Sequence, residues 1–217
     1  LMPDEEHDNG SRLGRGSIPF MGLPHTIVVN RRGRRFANEA FYRSLYYAVD
    51  QIDGATQSHP NFPCWAIMDA QARAKYPFGS AMPGEELTVE GTVKADSLAE
   101  LAALIGVDAD GLADTVAAFN GYAERGEDPE FGRGRFPWGA AMSGDLGHRP
   151  NPNLGPLNEG PYYAVALQRL GGGGITGTGL LADGHARVLG WDDQPIAGLY
   201  VAGNASARMD TGALMQS

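Results

Sequence analysis

Residues 151–217, NPNLGPLNEGPYYAVALQRLGGGGITGTGLLADGHARVLGWDDQPIAGLYVAGNASARMDTGALMQS, decide how the rest of the chain is read. A Pro- and Gly-punctuated entry leads to an apolar strand over Tyr162 to Leu167. Six glycines then cluster at positions 171–174, 177 and 179, so the backbone there approaches something closely or takes up positive φ. The run from Leu180 to Leu189 predicts a hairpin with Asp183-Gly184 at its turn. Gly198 to Ala202 reads as a buried strand that runs into Gly203-Asn204. The spacing of Gly172, Gly174 and Gly177 formally matches the dinucleotide fingerprint. That motif needs a helix after it, whose N-terminus faces the pyrophosphate, and here a hairpin follows. A Rossmann turn is rejected at this position. A close backbone approach to a ligand and a purely structural loop both stay open.

With 217 residues the chain can form one large or two modest domains around a real core. Its net charge of −9 argues against nucleic acid or an anionic membrane as partner. No apolar run is long enough to span a bilayer, and no signal peptide is visible. The single Cys64 cannot form an internal disulfide and fits a reducing compartment, the cytoplasm; within Phe62-Pro63-Cys64-Trp65 it reads as core packing. His7, His25, His59, His148 and His185 show no metal-ligand spacing, so no metal site is expected.

Residues 1–25 are charged and Gly-rich, as a loop or sheet edge would be. Thr26 to Asn30 is a short β-branched strand that turns through Arg31-Arg32-Gly33-Arg34. Asn38 is expected to cap a helix over Glu39 to about Ile52, with Phe41, Leu45, Tyr46 and Val49 at helical spacing. Cys64 to Met68 reads as a buried strand, and Asp69 as the cap of a short helix reaching Tyr76-Pro77. Two amphipathic helices follow. Asp96 or Ser97 caps the first, which turns Leu98, Leu101, Leu104 and Ile105 to one face and stops at Gly106. Asp108 caps the second, with Leu112, Val116, Phe119 and Ala123 inward and Gly126 as its stop. Residues 127–147 read as a loop rich in glycine and aromatics. Short strands with segregated helices predict an α+β unit over 26–150.

VVNRRGRRFANEAFY, residues 28–42, carries the pattern V-N-x-x-G-x-R-F-x-N-E. Together with YYAV, ADGHARVL and IAGLYVAGN in the tail, it resembles a family of FAD-dependent oxidoreductases. That family comprises the fumarate reductase and succinate dehydrogenase flavoproteins and the 3-ketosteroid dehydrogenases, and the likeness leans towards the ketosteroid branch. The resemblance implies that residues 1–25 are an edge segment of the FAD domain. Residues 26–150 would be an α+β cap, the substrate-binding domain, and 151–217 a β-rich segment returning to the α/β FAD-binding domain. The chain starts at Leu1 and stops at Ser217 within what resembles a cofactor loop, and so reads as part of a longer protein. Its implied partners are a small-molecule substrate and an N-terminal dinucleotide-binding part. Without the latter, these residues are expected to hold FAD weakly or not at all.

The same resemblance implies that Gly173, Gly174, Gly203, Asn204, Gly212, Ala213 and Leu214 approach the FAD. Dicarboxylate reductases of the family use a Glu/Arg proton relay that would match Glu39 and Arg43, at i, i+4 if one helix holds both. Ketosteroid dehydrogenases place a tyrosine base that would match Tyr42. An unperturbed tyrosine has a pKa of about 10, and a nearby arginine favours its phenolate. The plainer readings are a solvated turn for Arg31–Arg35 and simple packing for Tyr42, Tyr46 and Tyr47. Two departures matter. Glycines stand at 171–174 where fumarate reductases carry a histidine pair, which argues against fumarate or succinate. Leu214 falls where ketosteroid dehydrogenases have a tyrosine that polarises the ketone, and leucine has no donor. The family pattern thus supports an FAD-dependent oxidoreductase of CH–CH bonds better than a steroid substrate. A dicarboxylate reductase and a cap or scaffold module without flavin are the alternatives. The substrate is expected between residues 38–43 and 171–177, against the flavin.

Overall fold

The computed structural model describes residues 18–79, 81–87, 89, 91–168 and 179–207. It divides into two compact units, residues 1–170 and 171–217. In chain order the first holds α1 (Ile18–Met21), β1 (Thr26–Asn30), α2 (Tyr42–Asp50), β2 (Cys64–Met68), α3 (Ala70–Lys75) and β3 (Thr92–Ala95). It continues with α4 (Leu98–Ile105), α5 (Ala109–Arg125), α6 (Pro137–Ser143) and β4 (Tyr162–Leu167). The strands form one antiparallel sheet in the order β1-β2-β4-β3.

Side chains alternate across a strand, so neighbouring residues serve opposite cores. Ile27, Val29, Ile67 and Ala164 face one core, which α4 and α5 complete with Leu101, Leu112, Val116 and Phe119. Val28, Ala66, Met68 and Val165 face the other, which includes Met21, Phe78 and Leu87. A sheet covered on both faces explains why TIVVN and CWAIM are apolar runs with no polar alternation.

Three of the four predicted N-caps form. Asp69 accepts from the amides of Gln71 and Ala72, Ser97 from Glu100, and Asp108 from Gly111. Gly106 and Gly126 end α4 and α5 in the left-handed conformation. Leu104 is a correction: it is 58% exposed, and Ala102 beside Leu101 takes the inward position. A loop over all of 127–147 is another, because Pro137 starts α6 inside it. The two units divide after residue 170. The cause is β4, which pairs with β2 on one side and β3 on the other.

The second unit holds β5 (Arg187–Leu189) and β6 (Pro195–Tyr200), an antiparallel pair, followed by a 3₁₀ turn at Gly203–Ala205. The Asp183-Gly184 turn is present. The Asp183 amide donates to Arg187 O at 3.0 Å, and the Asp183 carboxylate pairs with the Arg187 guanidinium at 2.6 Å. The strand expected to be buried near Gly198 forms, but all six residues of β6 are exposed. A two-stranded sheet by itself has no second layer to cover its faces. Among the described residues no helix is long and apolar enough to cross a membrane.

Candidate functional site

The segment after β1 is built from the motif upward. Asn30 Oδ1 accepts from the amides of Arg32 and Arg34, closing the turn. Gly33 sits at φ +65°, and a Cβ there would collide with the backbone of Leu112 and lie 2.7 Å from Asp108 O. Only glycine fits that corner. Arg31, Arg32 and Arg34 are exposed, as a solvated turn requires, but Arg35 is buried.

Arg35 enters a closed ion cluster. Its Nε and Nη2 donate to the two carboxylate oxygens of Glu39 at 2.8 and 2.7 Å, and Nη2 also reaches Asp128 at 2.9 Å. Arg133 lies 3.3 Å from Glu39 and donates to the carbonyls of Thr26 and Leu23. The Phe119 ring has Arg35 at 5.0 Å and Arg133 at 5.3 Å. Burial opposes the charge on Glu39, but Arg35 and Arg133 outweigh it and hold its carboxyl below the usual range. Burial similarly opposes Arg35, and Glu39 with Asp128 raises it nonetheless. For Arg133 burial wins, bringing it down to about 10. Two cations balance two carboxylates, as buried charge demands.

The helix expected from Glu39 instead begins at Tyr42. Asn38 makes a local turn, its Oδ1 accepting from the Ala40 amide, and Phe41 is the N-terminal flanking residue. Glu39 therefore lies outside α2 and shares no helix face with Arg43. It is 1% exposed and also accepts from the Val28 amide at 3.2 Å, which ties the motif to β1. Its partners all lie in the buried cluster and on β1.

Tyr42 and Arg43 are placed differently, half-exposed at the first turn of α2. Arg43 Nε donates to the Tyr42 hydroxyl oxygen at 3.2 Å, and its guanidinium lies 5.9 Å from the ring. That hydrogen bond is the first cause holding the Arg43 charge still more firmly. Trp138, on α6, lies 6.0 Å from the Tyr42 ring and 5.5 Å, edge-on, from Phe41. Tyr46 and Tyr47 are exposed, so core packing does not account for them. Sequence reasoning missed Trp138, Asp128 and Arg133. Pro137 was the available signal, a helix start beside an aromatic in a Gly-rich stretch.

Of the residues matched to FAD, Gly173, Gly174, Gly212, Ala213 and Leu214 lie outside the described residues, as does the Gly172–Gly177 pattern. Gly203 and Asn204 form the 3₁₀ turn after β6. Gly203 is at φ +65° with nothing within 4 Å of where a Cβ would stand. An open glycine backbone of this kind fits the close approach of a planar group. Among the described residues no three metal-ligating side chains gather. Cys64 is buried, and burial pushes its thiol up to about 12, so it is a packing residue and not a nucleophile. His25 is buried with Nδ1 2.7 Å from Pro156 O, and His185 is exposed.

The chain is 40% identical over 184 residues to 4-oxocyclohexanecarboxylate 2-dehydrogenase of Sinomonas cyclohexanicum, covering 84% of this chain and 32% of that protein. Against 3-oxosteroid 1-dehydrogenase of Mycolicibacterium smegmatis it is 37% identical over 194 residues, covering 85% and 33%. Among solved structures, the 3-ketosteroid Δ1-dehydrogenase of Sterolibacterium denitrificans, in complex with 1,4-androstadiene-3,17-dione, superimposes with a TM-score of 0.75. The identity there is 37%, over 95% of this chain and 37% of that one. The chain thus spans about a third of the length of the curated relatives it matches. Residues 8–215 match the model of the FAD binding domain family, and the chain belongs to that family.

Proposed function

We propose that this chain is the substrate-handling part of an FAD-dependent dehydrogenase that acts on a CH–CH bond beside a cyclic ketone, with Tyr42 moving the substrate proton. One observation carries the reading: Arg43 donates to the Tyr42 hydroxyl oxygen at 3.2 Å, at a position open to solvent. With that donor on its oxygen, the hydroxyl keeps its own proton free to exchange with a bound substrate. Arg43 orients the hydroxyl, and the neighbouring aromatic rings keep one side of it dry. Glu39 is a strut in this scheme, since its carboxylate is fully engaged below the surface. The names of the relatives, a 4-oxocyclohexanecarboxylate dehydrogenase and a 3-oxosteroid dehydrogenase, support a six-membered cyclic ketone as the substrate class. Arg35 and Arg133 are neutralised by Glu39 and Asp128, leaving Arg43 as the cation beside Tyr42. That balance favours a ketone over a doubly charged dicarboxylate. Gly203 and Asn204 would lie against the FAD, which supplies the hydride-exchanging chemistry when bound. The lone buried thiol and the acidic charge support a cytoplasmic protein.

The test is anaerobic bleaching of flavin absorbance in the full-length protein by 4-oxocyclohexanecarboxylate, a saturated 3-oxosteroid or succinate, with reoxidation of the reduced flavin by fumarate as the reverse probe. A cyclic ketone is expected to bleach the flavin. Bleaching by succinate alone, or a full-length protein that holds no flavin, would refute the reading.

A further inference from the structure

We infer that Trp138 is a positioning residue for Tyr42, set against it by a rigid joint between α6 and the residue at position 40. This rests on the reading of Tyr42 as the proton-handling group.

α6 has seven residues and no side-chain cap at its start, so its placement depends on what it packs against. Its inner face is Gly139 and Ser143, both buried and one turn apart. A Cβ on Gly139 would lie 3.3 Å from the Ala40 Cβ, so the helix backbone rests directly on Ala40. Ser143 Oγ is within hydrogen-bond distance of the Ala40 carbonyl, at 3.3 Å, and of the Gly139 carbonyl, at 3.2 Å. Gly22 closes the joint: a Cβ there would collide with Ser143 Oγ and stand 2.8 Å from Ala40 Cα. Asn153, fully buried, donates to the carbonyls of Gly22 at 2.8 Å and Gly139 at 3.3 Å. Small residues and a buried amide thus fix α6 with little freedom to slide.

The consequence falls on the next residues of each segment. Trp138 precedes Gly139, and Phe41 and Tyr42 follow Ala40, so the fixed contact brings the indole against both rings. The Tyr42 ring meets Trp138 at 37° and 6.0 Å, Phe41 at 6.3 Å, and the Arg43 guanidinium at 5.9 Å. A half-exposed tyrosine at the first turn of a helix is otherwise free to change rotamer. With the indole in place, the hydroxyl stays where Arg43 donates to it. Arg43 supplies the hydrogen bond, and Trp138 holds the ring that carries the hydroxyl.

The test uses the full-length enzyme with a cyclic ketone that bleaches its flavin. Trp138→Ala should lower kcat about 2–10-fold, the worth of one aromatic pair, while KM changes less. Trp138→Phe should restore most of the loss. In a Tyr42→Phe background, Trp138→Ala should have no further effect on the residual rate, because the residue it positions has lost its hydroxyl. Thermal unfolding of each variant checks folding, and Trp138→Leu stands in if the alanine variant is unstable. An unchanged kcat in Trp138→Ala, or the same loss in both backgrounds, would overturn the inference and leave the Tyr42 reading intact. A Tyr42→Phe enzyme that turns over normally would sink the Tyr42 reading itself.

Discussion

Arg35–Glu39 and Tyr42–Arg43 lie within one nine-residue segment, yet their environments have opposite logic. The first pair is sealed below the surface and joined by Asp128 and Arg133, so that each charge has a partner. The second is half-exposed, held by the Arg43–Tyr42 hydrogen bond and by contacts of the Tyr42 ring with Phe41, Trp138 and the Arg43 guanidinium. Buried ion pairs tolerate no missing member, whereas an exposed phenol leaves its oxygen available to another molecule. Position relative to the sheet decides which is which. Glu39 anchors to β1 through the Val28 amide, and three residues later Tyr42 starts α2 half-exposed. On the proposed reading, a family motif that runs through both halves mixes scaffold and chemistry in adjacent letters.

The contrast can be broken most forcefully at Glu39. Glu39→Ala strands Arg35 and Arg133 without their shared carboxylate and should cost about 3–5 kcal/mol of stability in denaturant unfolding. A loss under about 1 kcal/mol would mean the cluster is solvated and the buried half of the comparison wrong. A smaller effect sharpens it at Asp145, which accepts from Lys75 at 2.6 Å and from the Tyr76 hydroxyl at 2.8 Å. The Lys75 hydrogen bond leads the causes that hold its carboxyl down at about 2. A depressed carboxyl contributes stability above its unfolded pKa of about 4 and loses it as pH falls towards its folded value. Because Lys75 is half-exposed, solvent screens that contribution to below about 1 kcal/mol. Melting temperatures taken from pH 5 down to pH 2 should fall slightly less steeply in Asp145→Asn than in the wild type. Smallest of all is Arg34→Ala. Arg34 neighbours Arg35 in sequence but pairs with Asp114 in the open, the two side chains being 53% and 68% exposed. Its loss should shift unfolding by about 0–1 kcal/mol, and a shift as large as that of Glu39→Ala would erase the distinction.

Local signals carried much of the fold. β1 and β2 were legible as short β-branched or apolar runs, and the caps at Asp69, Ser97 and Asp108 from the oxygen chemistry of their side chains. What failed depended on distant partners. β3 is four residues with a lysine in it, and only pairing with β4 makes it a strand. β4 reads as a strand, but nothing in YYAVAL says that it inserts between β2 and β3. At the site, Tyr42 and Arg43 came from a motif. The helical spacing of Glu39 and Arg43 does not hold, because the helix begins three residues after Glu39. Asp128 and Arg133 were invisible as its partners, since about ninety residues separate them from Arg35 and Glu39.

The central claim is that the exposed half of the segment does chemistry while the buried half only holds it up. Turnover of full-length Tyr42→Phe, measured beside its unfolding midpoint and flavin absorbance, tests this most directly. The account predicts a fall in kcat of about 10²–10⁴-fold, with midpoint and flavin spectrum unchanged. Wild-type turnover in that variant would make Tyr42 a surface residue like its neighbours and contradict the claim.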